Sequence, residues 1–354
     1  MGWVDNVTPE VEATSQYPMI ITVVVTLSVL ATAIVCTRLW IRKKKYGMAA
    51  DDWMAIVSLV CCLLYSICCI VQTKYGLGLP LKDRPKANLI PYTRWNYGAR
   101  PFYQLGISFF KIALLISYLR LFKGTNQVVY RRIVWITIVG VFLGHLGCTL
   151  CLVLACNPVY KSWEPLTPGT CLAPGPSFAG YAIVTIISDV AVAVIPIPVL
   201  ISLKVSLGKK IGLIGIFLLG LFTTLCSVFR YLQIDRIQNG DGNSTMLILW
   251  GVIEFNVGNM VSSLPFLAPV FLRKAKEYRS KVTGYGYGGS SSGGKLGKSG
   301  DGYKLGSVSS QNKSAFASGQ GHSTSEENIL KDSPDGSILK SVTYSVHVDN
   351  STRK

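Results

Sequence analysis

Seven windows of this chain are free or nearly free of charge and long enough to cross a bilayer, at about residues 18–41, 53–74, 97–120, 133–156, 177–203, 211–235 and 246–272. A hydrocarbon core ~30 Å thick takes about 20 apolar residues in a helix. Lipid offers no water to exposed backbone groups, and the windows lack the ~10-residue alternation of a membrane barrel, so each window predicts a helix. The expected fold is all-α, a bundle of seven transmembrane helices. Charged residues make up only 15% of the chain, against about a quarter in soluble domains, which argues the same way. The net charge of +17 does not point to nucleic acid, because the bases sit in short clusters between apolar runs.

Those clusters predict orientation. With the N-terminus outside, the inner segments hold sixteen Lys and Arg residues and the outer ones seven, five of these in the loop after the second window. The positive-inside rule then puts the N-terminus out and the C-terminus in the cytosol. Three regions follow: an extracellular segment at 1–17, the membrane domain at 18–272, and a cytosolic part at 273–354 with a basic juxtamembrane stretch and a Gly/Ser-rich tail expected to be disordered. Within that tail, residues 323–327 (Ser-Thr-Ser-Glu-Glu) are a candidate phosphorylation site. The first 17 residues carry acids and no base, so the first span is expected to insert as its own anchor without a cleaved signal peptide. Two sequons, at Asn6 and Asn243, fall on the expected outer side and are glycosylation candidates.

Among the charges inside the windows, four are candidates for buried pairing: Lys111, Asp189, Arg230 and Glu254. Such charges face the bundle interior and pair, either to hold helices together or to line a ligand or ion pathway. Depth separates them into two pairs. Lys111 and Asp189 each lie about 20 Å below the outer boundary of their windows at ~1.5 Å per residue, whereas Arg230 and Glu254 share the outer third. Asp51 and Asp52 open the second span and are expected to cap it and to neutralise part of the 42–45 basic cluster on the cytosolic side. Of ten cysteines, eight sit inside windows as packing residues. Cys156 and Cys171 instead flank a loop on the oxidising side, and a disulfide between them is expected.

Several of these residues form a recognisable set. Arg38 stands with Asp51-Asp52-Trp53, Cys156-Asn-Pro158 with Trp163 and Gly169-Thr-Cys171, and Ser188-Asp189 with Pro196-Ile-Pro198. Arg230, Trp250-x-x-x-Glu254-x-x-x-Gly258, Leu264-Pro265 and Pro269 complete it. The set resembles the fungal rhodopsin-domain integral membrane proteins over about residues 17–275. That family includes satratoxin-cluster membrane proteins and is similar to the host-sensing, G-protein-coupled-receptor-like proteins of plant-pathogenic fungi. Only 17 residues precede the first span, so the Cys-rich extracellular domain of the host-sensing members is not expected. The resemblance does not imply light sensing, since residues 246–272 contain no lysine to carry a retinal Schiff base. No cofactor or metal is expected.

Seven spans, basic inner segments and a Ser-rich tail favour a receptor-like protein at the plasma membrane, or in an organelle membrane, sensing an extracellular or metabolite cue. Its partners would be the lipid bilayer and a heterotrimeric G protein or other cytosolic signalling protein, with no nucleic acid. The alternative is a transporter or accessory membrane protein of fungal secondary-metabolite (mycotoxin) biosynthesis, which helix-breaking Pro196, Pro198, Pro265 and Pro269 also suit. An enzyme is not expected, because the three histidines, His145, His322 and His347, assemble into no zinc or nucleophile motif.

Overall fold

The computed structural model describes residues 2–121, 128–198, 207–239 and 242–284. The Gly/Ser-rich tail and its candidate phosphorylation site lie outside the described residues. A short helix α1 (Pro9–Ala13) precedes seven long ones: α2 (Tyr17–Lys45), α3 (Ala50–Lys74), α4 (Leu89–Leu121), α5 (Val128–Val153), α6 (Pro174–Val194), α7 (Leu207–Asn239) and α8 (Thr245–Gly284). Each of the seven carries a stretch long and apolar enough to cross a membrane. The chain is therefore a multi-pass, all-α membrane protein of seven helices.

Consecutive helices pack side by side, and α2 closes the ring against α8. Helix α4 runs through the middle, touching α3, α5 and α8, and is the most enclosed of the seven. Large apolar side chains such as Val29, Trp40, Trp53, Ile136 and Ile187 point away from the bundle, as a lipid-facing surface requires. The α4–α8 contact is close because two glycines make it so. A Cβ at Gly106 would lie 2.1 Å from the Phe255 ring, and one at Gly258 would lie 2.5 Å from that of Phe110. With no attraction of apolar surface for itself in lipid, such close packing carries much of the association between helices.

Helix ends depart from the windows for local reasons. Pro18, Pro174 and Pro176 sit in first turns, where the missing amide donor is not needed. Helix α6 is interrupted after Val194 by a turn at residues 195 and 196, because Pro196 has no amide hydrogen to continue the ladder; residues 197 and 198 are helical again. Helix α4 begins at Leu89, eight residues before the window at 97, so Arg94 and Arg100 are both helical. Helix α8 runs without a break past residue 272, where the membrane domain was expected to end, and continues through the basic stretch to Gly284.

The only departure from all-α among the described residues is a two-residue antiparallel pairing between β1 (Cys156–Asn157) and β2 (Thr170–Cys171), with Cys156 opposite Cys171. These two cysteines are disulfide-bonded. The loop they close docks on α4: Trp163 packs on Tyr97 with ring centroids 5.0 Å apart, and the Thr93 hydroxyl donates to the Trp163 carbonyl at 2.7 Å. At the same end, the N-terminal segment folds over the start of the α3–α4 connection. Trp3 Nε1 donates to Thr73 Oγ1 at 2.9 Å, and the Asp5 amide donates to the Lys74 carbonyl at 2.9 Å.

Candidate functional site

Helix α4 presents Arg100, Tyr103, Gln104 and Lys111 to the interior, spaced at i, i+3, i+4 and i+11 and so sharing one helical face. Lys111 is fully buried, and its ammonium has three acceptors for its three protons: Asp189 Oδ1 at 3.0 Å, Ser188 Oγ at 2.7 Å and the Thr185 carbonyl at 3.2 Å. That satisfaction pins α4 to α6. Ser188 Oγ also meets His145 Nε2 at 3.2 Å, while Gln104 Nε2 meets His145 Nδ1 at 3.2 Å. The amide can only donate to Nδ1, so the imidazole is neutral with its proton on Nε2, donating to Ser188. The serine in turn donates to the Thr185 carbonyl at 2.7 Å. Three helices, α4, α5 and α6, thus meet in one polar chain.

The second acid–base pair is less complete. Arg230 Nε lies 3.4 Å from Glu254 Oε2, and the Tyr103 hydroxyl donates to that same oxygen at 3.0 Å. Glu254 Oε1 and Arg230 Nε have no hydrogen bond of good geometry. The guanidinium of Arg230 sits over the Tyr103 ring, 4.8 Å from its centroid. Sequence depth separates the four charges into two zones, but the structure joins them. Ser227, one turn before Arg230, donates to Asp189 Oδ2 at 2.8 Å, and Glu254 feels both Asp189 and Lys111 electrostatically. The reason is helical: α7 carries Ser227 and Arg230 on one face, so it touches α6 and α8 together.

Above this cluster opens a cavity of about 770 Å³ at the disulfide end, bounded by α3, α4, α6, α7, α8 and the 75–88 connection. Arg230 and Tyr103 line its floor, with Arg84, Arg100, Tyr92 and Tyr181 higher up. Below the floor the space is filled. Tyr65, Tyr103, Phe110 and Phe255 pack ring on ring, and Cys62 and Val252 close the gaps. The 75–88 connection folds over the mouth, burying Leu77 and Leu79, and Tyr92 bonds Ser244 at 2.8 Å from α4 to the start of α8. No three His, Cys, Asp or Glu side chains among the described residues converge as a metal site requires.

The opposite end holds a second charged cluster. Asp52 does accept the Ala49 amide at 3.0 Å, as a capping residue should, but the main partner of both acids is Arg38. Fully buried, Arg38 donates from Nη2 to Asp51 at 2.6 Å, from Nε to Asp52 at 3.0 Å and from Nη1 to the Ser262 carbonyl of α8 at 2.7 Å. Arg42 reaches Asp51 at 2.8 Å and Arg120 reaches it at 3.6 Å. The part of the 42–45 cluster that these acids meet is Arg42. Lys43, Lys44 and Lys45 are exposed, since only Arg38 and Arg42, one turn apart, face α3. Of the sequon residues, Asn6 is exposed with its amide donating to Asn88 at 2.8 Å, while Asn243 is half-buried and accepts the Thr245 amide at 3.0 Å at the start of α8.

Sequence reasoning passed over Arg38, Arg84, Arg100, His145 and Tyr103 as site residues. Arg100 was readable from its shared face with Lys111, and Arg38 from its place inside the first window. Nothing in the sequence marked Arg84, which reaches the cavity only because its loop folds back.

Comparison with known proteins places this architecture. Satratoxin biosynthesis SC1 cluster protein 4 of Stachybotrys chartarum is 29% identical over 167 residues, 46% of this chain and 59% of that one. A SAT4 family membrane protein of Emericella nidulans is 24% identical over 213 residues, 59% of this chain and 53% of its own. Receptor GIN3 of Arthrobotrys oligospora is 24% identical over 272 residues, 75% of this chain and 65% of that receptor. The chain thus spans between about half and two-thirds of the length of these relatives. No solved structure matches it. The fungal rhodopsin domain matches residues 18–273, the whole seven-helix bundle up to the basic extension of α8, and the chain belongs to that family.

Proposed function

We propose that this protein is a receptor-like sensor of the plasma membrane, with the N-terminus and disulfide loop outside and the basic end in the cytosol. The observation that carries this reading is the one-ended cavity. A binding space opens at the disulfide end, while an aromatic layer and the satisfied Lys111 network fill the bundle beneath it. A receptor needs a site reachable from one side over a packed core that transmits a shift, and this arrangement supplies both. The disulfide and the excess of bases at the other end support the orientation. A heterotrimeric G protein is the cytosolic partner that the basic end would engage, and Receptor GIN3 among the relatives supports the class.

The test is a fluorescent-protein fusion at each terminus, probed by protease on intact cells, together with proximity labelling of Gα subunits at the C-terminus. A protected N-terminus would sink the orientation, and labelling no different from an unrelated seven-helix protein would sink G-protein coupling. The relative named for satratoxin biosynthesis favours a second reading, an accessory membrane protein of a secondary-metabolite cluster. That reading predicts loss of a metabolite, with no loss of signalling, on deletion of the gene.

A further inference from the structure

Among the described residues, the cavity is short of negative charge. Its described lining includes Arg84, Arg100 and Arg230 and no carboxylate; Glu254, just behind the floor, pairs with Arg230. Arg100 is half-buried and meets no acid among the described residues. Its Nε and Nη2 both donate to the neutral Asn96 Oδ1, at 3.1 and 3.0 Å, which fixes the guanidinium without neutralising it. Arg84 donates only a long bond from Nη2 to the Leu79 carbonyl at 3.4 Å, and its buried Nε has no partner. Tyr92 lies beside both, with the Arg84 guanidinium 3.9 Å from its ring centroid. A cation removed from water without an opposite charge is costly, and a bound anion with two oxygens matches the guanidinium fork. The rest of the wall is aromatic: Tyr65, Tyr92, Tyr103, Phe178 and Tyr181 supply flat apolar faces, with the Arg100 guanidinium 5.6 Å from the Phe178 centroid.

Resting on the reading of this cavity as a ligand site, we infer that it takes an organic anion with a ring-shaped apolar body, its carboxylate held by Arg100 and Arg84 near the mouth and its rings packed among the tyrosines toward the floor. The volume suits a small molecule of this kind, in the middle of the range such sites occupy. A carboxylate could reach the mouth from solution or from the bilayer as a fatty acid. The aromatic walls favour the rigid ring system over the flexible chain, which would lose more rotamer freedom on binding.

The experiment uses the full chain in nanodiscs of phosphatidylcholine, which carry no net anionic headgroup, and three probes: naphthalene-2-acetate, the neutral 2-(2-naphthyl)ethanol and dodecanoate. The acid should bind at least about tenfold more tightly than the alcohol, the margin a charge-assisted bidentate contact supplies. Dodecanoate should bind more weakly than naphthalene-2-acetate. Arg100→Gln should remove most of the preference for the acid over the alcohol and Arg84→Gln part of it. The comparison of acid with alcohol on the unaltered protein needs no variant to fold. Equal binding of acid and alcohol, or a preference that survives both substitutions, overturns the charge assignment while leaving the cavity as a ligand site. Tighter binding of dodecanoate overturns the ring-shaped body. Binding of none of the three overturns the ligand site itself and, with it, the sensor reading.

Discussion

Arg38 donates to two carboxylates, a serine hydroxyl and a backbone carbonyl, and through them ties α2 to α3, α4 and α8. Removing such a buried charge leaves Asp51 and Asp52 as adjacent acids inside the fold, a loss of about 3 to 5 kcal/mol. Arg38→Gln should therefore abolish the folded peak in size-exclusion chromatography of the detergent-extracted protein. Arg38→Lys should rescue it poorly, since a point charge cannot serve three directions of a planar fork. Arg230 and Glu254 invite a double-mutant cycle. Each single change to Gln should lower the melting temperature more than the double change does, because a single change leaves one buried charge alone. Additive losses would mean that the two side chains do not support each other.

At the scale of helices, the seven spans were legible because lipid forbids the alternatives, and Lys111, Asp189, Arg230 and Glu254 were legible because a charge there needs a partner. Their ends were less so. Pro196 interrupts α6 by local backbone chemistry that a hydropathy window averages away, and the helical start of α4 was masked by Arg94, which read as a loop base. The cavity was not legible at all, since it depends on helix rotation and on a connection folding back. The α4–α8 seam can be tested directly. Gly258→Leu should lower the melting temperature, by about 1 to 3 kcal/mol of overpacking against Phe110, and Phe110→Ala in the same chain should recover part of the loss. Failure of that rescue would show that the two helices do not meet there.

For the whole molecule, the disulfide loop and the N-terminal segment make the cavity end a folded cap over the helix ends. Opening the Cys156–Cys171 loop, 15 residues in sequence separation, removes about 3 kcal/mol of loop-closure stabilisation. Cys171→Ser should free the Trp163 loop from α4 and expose both ends of the loop to protease, while the melting of the remaining bundle changes less than in Arg38→Gln. Mass spectrometry of non-reduced peptides provides the direct check: two freely alkylated thiols in a native membrane preparation would contradict the bridge.

Helix α8 is 40 residues long, about 60 Å at the usual helical rise, twice the thickness of a hydrocarbon core. Glu254 stands near one end of it beneath the cavity, the Ser262 carbonyl gripped by Arg38 lies about two turns further on, and residues 273–284 extend the same rod by about 18 Å. Charged side chains grip the rod at two points along its length, and residues 273–284 continue beyond both. A pivot so placed multiplies displacement: a tilt of a few degrees at the Arg38 grip, too small to disturb the packed rings around Phe255, sweeps the far tip sideways by an ångström or more. A partner seated on that tip would meet the amplified movement, whereas one seated on the loops between the other helices would not.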